Sequence, residues 1–520
     1  VSTTTTETGA GVGFRSERGP VLIALMLATA LIALDSTILA TAVPTIVDEL
    51  GGLTQFPWLF SVYLLAQAVS VPVYSKLADT VGRKPVMLIG IALFLVGSLL
   101  CGIAWDMGSL IIMRAVQGLG AGAVLPVSIT IAGDIYTVAE RAKAQGYIAS
   151  VWAVSSVVGP SLGGVFSQFT SWRWIFFVNV PLCLVAAWML SRSYHEKVDR
   201  VRHRIDYAGA VTLTLSLTLL ILAVLEGGQA WAWASWQSIG GFAVGVALLV
   251  AFVLIERRAA EPILPLGIFS RRLIVTTLLI SLGVGVVLIG LTSYVPTFVE
   301  RSLGVQPVVA GLAVAALTLG WPLAASQSGR LYLRVGFRPT AVIGLVVAAV
   351  GAALLWLTSS GSASIPAVAV SCFVVGLGLG LVAAPTLIAA QASVPWNERA
   401  VITGANMFMR SVGSAVGVAI FGAVANNVIA GQSDPKRGIE LGSHAVFLAV
   451  VVAAVLSIVA GVLMPNTKVS DVEDTPSAPD AVDGTEPGDI EPTGQDAGRP
   501  GGRSASSVVG TATPADRFDA

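Results

Sequence analysis

The 520-residue sequence predicts an all-α polytopic membrane protein. Three observations carry that prediction. Charged types make up 12% of the chain and hydrophobic types 55%, whereas a soluble domain carries about 25% charge. The apolar residues gather into fourteen continuous stretches, each near the roughly 20 residues a helix needs to cross a bilayer. Lysine and arginine crowd into alternate connections, as the positive-inside rule requires. A soluble chain of this length would need far more polar surface, even divided into several domains. A soluble enzyme, a nucleic-acid binder and a disordered scaffold are therefore poor readings. With 30 basic and 30 acidic residues the net charge is zero, so there is no basic footprint for nucleic acid.

In chain order the stretches run over 20–42, 58–77, 85–104, 109–132, 143–167, 174–192, 206–225, 237–255, 273–297, 307–327, 340–357, 365–390, 400–427 and 444–464. They are continuous runs of Leu, Val, Ile, Ala and Gly, not alternating ones, which argues for helices over a barrel. The first is too long, and too closely followed by the next, for a removed signal peptide. With the N-terminus placed in the cytoplasm, the inner connections hold Lys76, Arg83, Lys84, Arg141, Lys143 and a long series of arginines up to Arg399. The outer ones hold only Arg173, Arg301, Lys436 and Arg437. An even number of spans returns the C-terminus to the same side. Trp58, Trp105, Trp172, Trp174, Trp231, Trp233, Trp236 and Trp356 fall near outer helix ends, where an aromatic belt is expected. The setting expected is a multi-pass protein of a bacterial plasma membrane, both termini cytoplasmic.

Residues 1–18 and 465–520 are of another composition. The second segment is rich in Pro, Gly, Ser, Thr and acids, and both are expected to be disordered. Truncation after Thr467 is therefore expected to leave membrane abundance and transport within a few-fold of the full chain. Immunoblotting of membranes beside an efflux assay checks this.

The three cysteines, Cys101, Cys183 and Cys372, lie singly in apolar runs and read as small core residues. The three histidines are widely spaced, and no HExxH occurs. No GxxxxGK(S/T) loop is present, and the glycine-rich run Gly118–Gly122 sits inside a span, not after a soluble strand. No metal and no cofactor is expected, and ATP is not the expected energy source.

Asp35 is the only acidic residue well inside a span. A carboxylate in hydrocarbon is costly, so it must face a cavity or a partner, and it is a functional candidate. At about 1.5 Å per residue, Asp35 lies roughly 10–14 Å below the outer end of span one. Arg114 and Gln117 of span four lie at roughly 8 and 12 Å on the same scale. Arg410 lies near mid-membrane in span thirteen, one turn from Asn406. All five are expected to line one cavity between helix bundles, and Asp35 with Arg114 also reads as a static packing pair. Asp134, Glu140, Arg141 and Lys143 read most simply as a solvated helix end. Pro160 beside Gly159 removes a helix hydrogen bond and marks a bending point in span five. Gly159, Gly163 and Gly164 are expected to permit close contact between the bundles.

Several segments resemble a known family. Ser75-Lys76-Leu77-Ala78-Asp79-Thr80-Val81-Gly82-Arg83-Lys84, between spans two and three, resembles the signature loop of the major facilitator superfamily, with Ser75 where glycine is usual. A weaker copy, Ser328 to Arg338, follows span ten without the aspartate. Leu34 to Pro44, Leu110 to Gly120 and Ser155 to Gly164 resemble the first-, fourth- and fifth-helix signatures of fourteen-span drug:proton antiporters. Trp172 to Pro181 and Asn406 to Gly417 are also similar to that subfamily. The resemblance covers about residues 20–464.

It implies two six-helix bundles, 19–192 and 273–464, with two extra helices in the linker 193–272. It also implies alternating access at a central site, with Asp79, Gly82 and Arg83 latching the bundles together and Gly159, Pro160, Gly163 and Gly164 assisting movement. Asp35 and Arg114 are the expected proton-coupling pair; Gln117, Asn406 and Arg410 are the expected substrate-cavity residues. The expected function is proton-driven export of amphipathic or hydrophobic small molecules by a lipid-embedded monomer, multidrug efflux included. An exporter of one metabolite, lipid or siderophore is the nearest alternative. A membrane receptor or scaffold would need no membrane-buried aspartate, and a membrane enzyme would need a polar cluster at the membrane surface.

Overall fold

The computed structural model describes residues 12–52, 55, 58–196, 206–227, 231–259, 262–264, 266–305, 307–360 and 364–467. Fourteen of its helical segments are long and apolar enough to span a membrane. The expected tail from 468 onward and most of the connection 193–205 lie outside the described residues. Within the segment 1–18, residues 12–18 form turns packed on the first bundle. Phe14 sits against the Tyr147 ring at 5.2 Å, and Arg18 pairs with Glu140 at 3.1 Å. The apolar Val12 and Phe14, with a partner for Arg18, are why this stretch is not the disordered one expected.

The first bundle comprises α1 (Gly19–Leu50), α2 (Trp58–Val81), α3 (Arg83–Gly102), α4 (Met107–Ile135), α5 (Val138–Phe169), α6 (Trp174–Phe177) and α7 (Asn179–Ser193). Helices α6 and α7 together make one span. The inserted pair is α8 (Tyr207–Glu226) and α9 (Trp236–Glu256). The second bundle comprises α10 (Arg272–Leu303), α11 (Pro307–Val335), α12 (Phe337–Thr358), α13 (Ile365–Ala392), α14 (Arg399–Ala430) and α15 (Pro435–Leu463). Several helices run past their apolar cores by a turn or more. The polar first turns of α5 and α15 were invisible to a hydropathy window but carry good helix formers and caps, such as the Thr137–Glu140 capping box.

The two bundles repeat one packing scheme. In the first, α1 packs on α5 and α7, α2 on α4, and α3 on α4 and α7; in the second, α10 packs on α14 and α15, α11 on α13, and α12 on α13 and α15. Internal repetition of this kind is how such transport folds are built. Small residues let the paired helices approach. A Cβ on Gly120 of α4 would lie 2.3 Å from the Phe94 amide nitrogen of α3, and one on Gly378 of α13 would lie 2.3 Å from that of Ala348 in α12. The turns after α2 and α11 match too: Gly82 has φ 111° and Gly336 has φ 92°, a region that favours glycine.

The bundles meet where α2 packs on α14 and α5 on α11. Helix α8 touches both α2 and α14, so the inserted pair lies along that first seam. Large side chains such as Ile112 (69% exposed) and Leu312 (60% exposed) stand on the outer helix faces, as expected where lipid is the solvent. At the end opposite Gly82, the ties stay within a bundle. Trp172 Nε1 donates to Glu49 Oε2 at 2.7 Å, and Arg173 bonds Glu49 and the Ala104 carbonyl. The Arg173 hydrogen bond holds the Glu49 carboxyl below its usual pKa.

Candidate functional site

Asp35 sits inside a closed polar cluster within the first bundle. Arg114 Nη1 donates to Asp35 Oδ2 at 2.6 Å, and Gln117 Nε2 donates to Asp35 Oδ1 at 2.7 Å. Arg114 Nη1 also reaches Gln117 Oε1 at 2.7 Å, its Nε donates to the Leu59 carbonyl at 3.1 Å, and its guanidinium lies 4.1 Å from the Tyr63 ring centroid. Asn179 Nδ2, at the start of α7, donates to Ser98 Oγ at 2.9 Å and approaches Asp35 Oδ1 at 3.3 Å. Both ions are 1% exposed. Low dielectric makes such a pair strong only when the remaining donors and acceptors are satisfied, as most are here. One proton on Asp35 would remove the pair and loosen contacts reaching α1, α2, α3, α4 and α7 together.

The shared depth of Asp35, Arg114 and Gln117 is thus direct contact. The single cavity lined by all five residues is not what the structure holds. Gln117, with no exposed surface, belongs to the aspartate cluster, while Asn406 and Arg410 line a separate small cavity between the bundles. Its apolar walls include Ile129 of α4, Val284 of α10 and Leu387 of α13; Ser281 and Thr386 add hydroxyls. Ser281 Oγ donates to Asn406 Oδ1 at 2.8 Å, and Asn406 Nδ2 donates to the Ile402 carbonyl at 3.0 Å. Residue spacing along two helices gives depth but not rotation, and rotation is what separates the two groups.

The third group closes the Gly82 end. The α14 backbone N–H groups of Ala400 and Val401 donate to Asp79 Oδ1 and Oδ2 at 3.1 and 2.8 Å, a carboxylate seated on a helix N-terminus. Arg83 pairs with Asp79 at 2.9 Å and Asp134 at 3.1 Å. It donates to the Trp396 carbonyl at 2.5 Å and stacks 3.5 Å from the centre of the Trp396 ring. Asp134 bridges on to Arg399 at 3.3 Å. The Asp134 side chain is 6% exposed, so it is not the solvated helix end the sequence suggested, and Arg141 is buried as well. Two arginines from different bundles converge on Asp134 and replace its water. Ser75, where glycine is usual, is accommodated from the other side: a Cβ on Gly404 would lie 2.0 Å from Ser75 Oγ. Tyr332 donates to the Val138 carbonyl at the same end. Among the described residues every hydrogen bond between the bundles lies at this end.

Gly159 and Gly163 face α1, not the second bundle. A Cβ on them would meet Thr37 Oγ1 at 2.1 Å and Thr41 Oγ1 at 2.2 Å, whereas Gly164 has open space. Pro160 lies inside one continuous helix. These glycines therefore hold two helices of one bundle together. No cluster of metal-ligating side chains occurs among the described residues.

The family model for the Major Facilitator Superfamily matches residues 25–205 and 198–418. The chain belongs to the major facilitator superfamily. It is 34% identical over 414 residues to the Multidrug transporter protein MdtP of Bacillus subtilis (strain 168), covering 80% of this chain and 76% of that protein. It is 35% identical over 408 residues to Multidrug resistance protein 3 of the same organism, covering 78% and 80%. Among solved structures it resembles the human organic anion transporter MFSD10 with a TM-score of 0.61 at 15% identity, over 86% of this chain and 99% of that one, a likeness of fold alone. A superfamily member with these relatives is a secondary transporter of small molecules and not an enzyme. Sequence reasoning missed Ser98, Asn179 and Tyr63 around Asp35. Asn179 was a polar residue in an apolar span and could have been found; Ser98 and Tyr63 gave no such signal.

Proposed function

We propose that this superfamily member is a proton-coupled antiporter exporting amphipathic or hydrophobic small molecules, multidrug efflux among its activities, across a bacterial plasma membrane. The observation that carries the reading is the buried Asp35–Arg114 pair with its ring of amides, in a chain whose relatives are named multidrug transporters. Asp35 takes the proton and Arg114 modulates it, with Gln117 holding both. Asn406 and Arg410 serve the cargo cavity. Asp79, Gly82 and Arg83 hold the Gly82 end shut, and Gly159 and Gly163 keep α1 and α5 moving as one body. The Lys and Arg bias supports a cytoplasmic Gly82 end and cytoplasmic termini, so the closed latch would correspond to an outward-facing state. The working unit is a monomer in lipid.

In vesicles of purified protein, an imposed proton gradient is expected to drive an amphipathic fluorescent dye uphill, with proton counterflow seen by an internal pH indicator. Dye movement indifferent to the gradient and to a protonophore would sink the antiport reading.

A further inference from the structure

Arg410 is an unpaired, partly buried cation. Arg83, Arg114 and Arg399 each pair with a carboxylate, and Arg141 donates to the Tyr136 carbonyl. Among the described residues Arg410 has no ion pair and its side chain no hydrogen bond, yet it lines the cavity between the bundles. Its backbone is fixed: a Cβ on Gly285 of α10 would lie 1.9 Å from the Arg410 carbonyl oxygen, and one on Gly413 would lie 2.0 Å from that of Leu282. Ser414 Oγ donates to the Gly285 carbonyl at 3.2 Å, tying the same two helices.

The cavity holds no balancing charge. Among the described residues Arg410 is its only charged lining residue. The buried aspartates are taken elsewhere: Asp35 is enclosed by Arg114, Gln117 and Asn179, Asp79 pairs with Arg83, and Asp134 with Arg83 and Arg399. An arginine cannot shed its proton, so the positive charge stays on the cavity wall at any working pH. A guanidinium presents a planar fork of donors suited to carboxylate oxygens. Asn406 adds a second amide N–H beside it, since only one is used by Ile402. Ser281 and Thr386 spend their hydroxyl hydrogens on Asn406 and the Val382 carbonyl, while Ile129, Val284 and Leu387 supply apolar wall.

We infer that the cavity, about 40 Å³ while the Gly82 end is shut and so room for a carboxylate head alone, takes amphipathic organic anions, the carboxylate docking on Arg410 and Asn406 and the apolar body on the walls from both bundles once the bundles part. This rests on the exporter reading and narrows its cargo, because the site as built disfavours a cation.

The test is equilibrium binding to full-length protein in nanodiscs of zwitterionic lipid. The probes are dansyl-aminoundecanoate, its methyl ester and the amine of matching chain length. One lost charge-assisted contact corresponds to roughly ten- to hundred-fold in affinity, so the carboxylate is expected to bind at least about ten-fold tighter than ester or amine. Arg410→Gln is expected to bring carboxylate and ester within about two-fold of each other, and Arg410→Lys to restore part of the preference. The wild-type ranking needs no variant, so misfolding of Arg410→Gln does not spoil the experiment. Equal wild-type binding of all three probes, tighter amine binding, or no binding of any would overturn the assignment. Displacement of the carboxylate by stoichiometric phosphatidylglycerol would give the site to a lipid headgroup and overturn its role for cargo. Binding is measured without a gradient: loss of proton drive with the preference intact refutes antiport alone.

Discussion

Asp35→Asn is expected to insert and fold while losing uphill, proton-driven efflux, its gradient-dependent accumulation falling to that of empty vesicles. Asparagine keeps the size of the side chain, but its single oxygen can take the place of one carboxylate oxygen only, facing either Arg114 or Gln117, and it cannot titrate. It also leaves the Arg114 charge without its counter-ion, and stranding a buried ion costs about 3–5 kcal/mol. The Leu59 carbonyl, Gln117 Oε1 and the Tyr63 ring remain around Arg114 and offset part of that. A lower melting temperature with retained downhill equilibration is thus the expected pattern, and Asp35→Glu should recover some drive because it titrates. Reconstituted vesicles with substrate and internal pH followed together provide the measurement. Undiminished uphill transport by Asp35→Asn would move the search to the ionisable groups around Asp134.

Asp79→Asn is expected to reduce turnover more than cargo affinity. The carboxylate pairs with Arg83 inside its own bundle and accepts from two α14 backbone N–H groups of the other, and the latter two contacts must break for the Gly82 end to open. A charge-assisted hydrogen bond contributes about 1.5–3 kcal/mol, so the closed population should fall by roughly ten- to hundred-fold relative to the open one. Distances between spin labels on α5 and α11 at that end would report the shift. Abolished binding with an unchanged distance distribution would show that Asp79 serves the cargo and not the latch.

The fold was legible because lipid imposes a simple rule: every span must satisfy its own backbone, so a continuous apolar run is a helix. The signature loop was legible because a turn at Gly82 flanked by Asp79 and Arg83 is local in sequence. What lay beyond was set by rotation and by distant partners. Nothing around Asp134 announces that Arg399, far along the chain, will take the place of its water. Likewise, the spacing that put Gln117 and Arg410 at comparable depth could not say that one faces its own bundle and the other the gap. Arg18 was assigned to a disordered segment for the same reason, since its partner Glu140 lies on α5.

The seam along α2 is held by a second kind of contact. Leu65 and Val69 of α2, Leu213 and Leu217 of α8 and Phe252 of α9 form one apolar cluster, with Phe408 of α14 packed against it. Apolar attraction has no preferred direction, so neighbours can be exchanged there during a rocking motion at little cost. The latch at Gly82 must break bond by bond; this cluster behaves as a bearing, on which one half of the machine can turn while the oil stays in. Placing a hydrogen-bonding side chain on that surface, as in Leu217→Asn, would turn the bearing into a brake.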